Sequence, residues 1–64
     1  MKKSVVEMRK RAEEVSRKYP DLVVYVMDKP RKHAVICAND WVYRERILDG
    51  WNDVAKFKNG KEIK

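Results

Sequence analysis

The sequence predicts an α+β domain in which an N-terminal amphipathic helix packs on a small antiparallel sheet, a hairpin extended to a meander. Three observations predict it. An apolar stripe at helical spacing runs through the first twenty residues, a six-residue strand pattern follows, and polar turn signals cut the remainder into short segments. All 64 residues are expected to form one domain, a size at which a single core is barely sufficient and a partner subunit often completes it.

The helix comes first. Ser4 and Glu7 have the spacing of a capping box, in which a hydroxyl and a carboxylate each satisfy an orphan backbone amide. Val5, Met8, Ala12, Val15 and Tyr19 recur at steps of three and four and draw one apolar face. Glu7 with Arg11, Glu13 with Arg17, and Glu14 with Lys18 stand four apart in the favourable acid-first order. Pro20 disfavours helical geometry at Tyr19 and ends the element. The stripe is too short to indicate a coiled coil and is expected to pack on the core.

Residues 22–27, Leu-Val-Val-Tyr-Val-Met, form a strand that is apolar on both faces. One helix covers one face. The other needs a later segment, a second copy of the chain or another partner. Aromatic residues and methionine are enriched at interfaces, so the face bearing Val23, Tyr25 and Met27 is the expected homodimer contact. Asp28-Lys29-Pro30-Arg31-Lys32 reads as a turn, and residues 33–38 as a second strand that closes an antiparallel hairpin.

Beyond Asn39 two readings compete. In the favoured one, Asn39-Asp40, Asp49-Gly50 and Asn59-Gly60 are successive turns between strands at 41–48, 51–58 and 61–63, with Arg46 opposite Asp53. In the alternative, an α-β-β-α arrangement, Asn39 or Asp40 caps a short helix near residues 40–49 and Gly50 is its C′ residue. Trp41, Val42, Tyr43, Ile47 and Leu48 scatter around a helical wheel, and Trp-Val-Tyr prefers extended structure, which favours the first.

Composition narrows the chemistry. The single cysteine, Cys37, excludes an intramolecular disulfide and fits a reducing cytoplasm. Charges at Glu7 and Arg9 interrupt the N-terminal segment before a signal-peptide core develops, and no apolar run approaches a membrane span. Two glycines, each in a polar dipeptide, cannot write a dinucleotide fingerprint or a phosphate loop. His33 and Cys37 are too few for a structural zinc site and, about 13 Å apart on an extended strand, too distant to act as base and nucleophile. No cofactor, metal or catalytic residue is therefore expected, and the chain reads as non-enzymatic.

Binding remains. The net charge of +6 biases partners toward anionic surfaces, although it is spread as +4 over residues 1–20, zero over 21–40 and +2 over 41–64. Two sets of residues are candidates for nucleic acid. One is the stiff basic turn with Lys29, Arg31 and Lys32; the other is Arg44, Arg46 and Lys56 interleaved with Trp41, Tyr43, Trp51 and Phe57. The expected function is a basic, non-catalytic binding module that contacts nucleic acid. The alternative is a self-associating protein-interaction or regulatory module whose charge serves only solubility.

Overall fold

The structure is a computed structural model that describes residues 3–63. Helix α1 (Lys3–Lys18) leads into β1 (Val23–Asp28), β2 (Val35–Cys37), helix α2 (Asp40–Leu48), β3 (Asn52–Lys58) and β4 (Lys61–Ile63). The strands form one antiparallel sheet in the order β2-β1-β3-β4. The fold is α+β, with one helix on each face of the sheet.

Side chains alternate along each strand and cross-strand partners share a face, so the register assigns the paired residues to a side; a bulge opposite Val26 and Met27 leaves Val54 unpaired, and it packs against the core beside Ala55. Val24 stands beside Phe57, and Val26 between Ile36 and Ala55. With Met8, Ala12 and Val15 of α1 they make the core, and Val5 is buried at the start of the same stripe. Tyr19 falls off it and is exposed beyond the helix end, in a turn closed by the Leu22 amide donating to the Tyr19 carbonyl.

Two contacts lock α1 to the sheet at polar points. Ser16, fully buried, donates to the Glu13 carbonyl while its Oγ accepts from the Gly60 amide at 3.0 Å. Arg9 lies over the Phe57 ring and pairs with Glu62 on β4. Ser4 lies inside the helix, and its hydroxyl accepts from the Ala34 amide at 3.4 Å instead of serving as the expected cap. Of the three expected ion pairs on α1, Glu13–Arg17 is formed, at 2.9 Å.

Residues 41–48 are helix and not the favoured strand, so the pairing of Arg46 with Asp53 does not occur; Asp53 pairs with Met27. The short-helix alternative holds. Asn39 is the N-cap, its side chain accepting from the amides of Trp41 and Val42. At the other end Trp51 N–H donates to the Arg46 carbonyl at 2.9 Å and Gly50 N–H to that of Ile47 at 3.2 Å, a Schellman closure with Gly50 at φ +91°. Asp49-Gly50 is therefore a helix stop and not a hairpin turn. Asn59-Gly60, with φ of 54° and 78°, is the hairpin turn expected of it.

The topology explains the helix. Because β1 is antiparallel to both neighbours, β2 and β3 run parallel with β1 between them. Parallel strands require a crossover of a dozen or more residues, usually helical, and residues 38–51 carry the chain over β1 to reach β3. The second face of the hairpin is thus covered, in part, by a later segment of the same chain. Among the described residues, no helix is long and apolar enough to cross a membrane.

Candidate nucleic-acid interface

The sheet face opposite α1 divides into a closed and an open half. In the closed half, Met27 is fully buried and Cys37 is buried with its Sγ donating to the Asn39 carbonyl at 3.2 Å. Tyr25 and Tyr43 stack here, ring centroids 3.9 Å apart and planes 20° from parallel. Each phenol is committed: Tyr25 donates to Asp40 at 3.0 Å and Tyr43 to Asp53 at 2.8 Å. The hydrogen bond to Asp53, then burial, pushes the Tyr43 hydroxyl up to about 12. Burial first, then the Asp40 bond, raises Tyr25. Both rings are held as neutral donors that pin α2 to the sheet.

The open half is read from the pairing. Val23, Lys58 and Lys61 form one cross-strand row over β1, β3 and β4; Tyr25, Lys56 and Ile63 form the next. Lys58, Lys61 and Ile63 are exposed, Val23 is half-buried, and Lys56 has Asp53 at 3.9 Å as its acidic neighbour. Three lysines are therefore neighbours on one face, with Val23 and Ile63 beside them at the edges of the group. Lys58 and Lys61 face each other directly, a like-charge pairing that disfavours the sheet unless an anion lies across it.

The residues expected from sequence to bind are not gathered in one patch. Lys29 is tied to Asp49, donating to its carbonyl at 2.8 Å and pairing with its carboxylate at 3.2 Å, and so clamps the β1–β2 turn to the end of α2. Arg31 and Lys32 are exposed at that turn, which lies at the end of β1 away from the row of Val23, Lys58 and Lys61. Arg46 lies over the Trp51 ring at 5.2 Å, and its Nε is buried without an acceptor. Arg44 projects from the outer side of α2. Phe57 belongs to the core. Only Lys56, of the six basic residues named, stands on the open sheet face.

Of the proposed self-association face, Met27 is enclosed within the chain, Tyr25 is roofed by Tyr43, and Val23, like Tyr25, is half-buried. Lys61 was missed by sequence reasoning. The signal was present: a two-residue Asn59-Gly60 turn makes residues 58 and 61 partners, and therefore neighbours on one face. Among the described residues, no group of three or more His, Cys, Asp or Glu side chains is placed to hold a metal ion.

Fold and face together define a small α+β domain with one sheet surface sealed by a helix and the other left half open and basic. No family model, curated protein or solved structure matches the chain.

Proposed function

We propose that the protein is a small, non-catalytic binding module of a reducing cytoplasm that holds nucleic acid by its backbone on the open half of the second sheet face. One observation carries this reading: the register brings Lys56, Lys58 and Lys61 together on one surface, with Val23 and Ile63 flanking them. Neighbouring strands lie about 4.8 Å apart and alternate residues about 6.6 Å apart, so the ammonium groups can engage successive phosphates of one strand. The tyrosines are stacked on each other with their hydroxyls occupied, which leaves phosphate contacts to dominate and base identity unread. The free, buried Cys37 supports the reducing compartment.

The test is a salt titration of binding, by fluorescence anisotropy, to several unrelated single-stranded and duplex oligonucleotides. Three phosphate contacts give a log–log slope of roughly −2 to −3, similar for all sequences. The double substitution Lys58→Ala, Lys61→Ala removes two contacts and flattens the slope by about 1.5 to 2. An equal flattening confined to Lys29→Ala, Arg31→Ala, Lys32→Ala would move the contact to the turn. Absence of binding by the wild type at about 50 mM salt would end the nucleic-acid reading.

A further inference from the structure

Helix α2 covers the sheet and in doing so turns outward a side with an apolar residue at each end and charges between them. None of its residues is buried; Trp41 is 70% exposed and Leu48 89%. These two stand seven residues apart, two turns along one side, with Arg44 and Glu45 between them at the third and fourth positions. The exposed stripe is therefore Trp41–Arg44–Glu45–Leu48: apolar, cation, anion, apolar. No ion pair among the described residues holds Arg44 or Glu45. Beside the stripe, a cavity of about 350 Å³ is lined by Tyr43, Arg44, Ile47 and Leu48.

We propose that this stripe is a homodimer contact in which α2 packs antiparallel on α2 of a second copy across a twofold axis. A twofold antiparallel pair centred between residues 44 and 45 matches each position with the one whose number completes the same sum. Trp41 then meets Leu48 of the other copy, and Arg44 meets Glu45, each twice. The order of residues is self-complementary in both hydrophobicity and charge, and no other occupant is specified by the stripe itself. The same register brings the indole of one copy to the cavity beside Leu48 of the other, the arrangement of a tryptophan anchor in an apolar pocket. Tyr43 borders this cavity, but Lys56, Lys58 and Lys61 do not, so the contact uses none of the lysines proposed to hold nucleic acid.

A nine-residue helix offers less than the roughly 800 Å² per partner of a standard interface, so the dimer is weak and forms at about 0.1 mM or above. Sedimentation from about 10 µM to 1 mM, without nucleic acid, should show the wild-type mass rising toward twice that of the chain. Arg44→Glu and Glu45→Arg each set four like charges at the centre and should each weaken association at least tenfold. Mixing the two variants in equal amounts restores both opposite-charge pairs and should recover a heterodimer as strong as the wild-type dimer. All four positions are exposed, and circular dichroism will verify that the variants are folded. A monomeric wild type at 1 mM, single variants that associate like the wild type, or a mixture no stronger than either variant alone would each overturn the proposal.

Discussion

The two helices press on opposite faces of one sheet and are held there by different forces. Helix α1 buries Val5 and Ala12 and supplies Met8 and Val15 to the core, so it is fixed mainly by non-directional burial of apolar surface. Helix α2 buries nothing fully. It is fixed by one ring stack, two phenol–carboxylate hydrogen bonds, the Lys29–Asp49 clamp and two well-formed ends. An apolar stripe facing inward makes a helix part of the core. Helix α2 has no such stripe, so directional polar and ring contacts hold it, and Trp41 and Leu48 stay exposed on its outer side.

The contrast is broken most severely from the α1 side. Phe57, buried beside Val24 and lying under Arg9, should cost about 3–5 kcal/mol when changed to alanine. That is much of the stability of a small domain, so urea unfolding of Phe57→Ala should show a strongly lowered midpoint or no folded baseline. A loss below about 1.5 kcal/mol would mean that α1 is not anchored as described.

A smaller effect is expected at α2. Tyr43→Phe keeps the ring on Tyr25 and removes the bond to Asp53, for a loss of about 1 kcal/mol. It should also raise hydrogen exchange in residues 40–48 while leaving α1 protected. The pH dependence has a definite sign. Tyr43 is raised from 10 to about 12 in the folded chain, so its contribution is complete below pH 10. Between 10 and 12 the unfolded chain has released the proton that the folded chain retains, and stability falls as pH rises. The raised Tyr25 acts in the same direction. Thermal melts of Tyr43→Phe across that range should therefore fall less steeply than those of the wild type, and equal slopes would contradict the assignment.

The smallest effect sharpens the comparison from the turn that Lys29 clamps. The amide of Lys32 donates to the carbonyl of Lys29, and Arg31 occupies the position of a type II turn that requires positive φ, at 68°. Glycine relieves the Cβ strain and gives back part of the gain in unfolded-state entropy. Arg31→Gly should stabilise the protein by about 0.5 kcal/mol, read as a small rise in melting temperature. A decrease would show that the turn is not strained.

Local signals in the sequence were sound wherever one face alone mattered. The stripe of α1, the β1–β2 hairpin and the Asn59-Gly60 turn are all governed by contacts within a few residues or by a single periodic face. Residues 41–48 were misread because Trp41, Val42, Tyr43, Ile47 and Leu48 scatter around the helix and draw no single apolar stripe, the signal by which a helix is ordinarily recognised. The caps were the better guide there: Asn39 and Gly50 bracket the helix regardless of which way its residues face. Lys58 and Lys61 could be paired from their turn, but Tyr25, Tyr43 and Lys56 come together only through a long-range arrangement.

The amino-acid sequence by itself determined the class of the fold, the first helix, the two-faced strand and the need to cover its second face. These follow from periodicity, turn chemistry and the excess of apolar surface over what one helix can bury. Tertiary structure alone decided that β3 pairs with β1 and not with β2. That choice makes β2 and β3 parallel, and parallel strands separated by a strand need a crossover, so residues 38–51 form one whose helix, Asp40–Leu48, roofs half the second face. The physical reason is that a strand's partner is selected by packing across the whole sheet, whereas propensity at residues 41–48 is a preference of a few tenths of a kcal/mol per residue that such packing overrides.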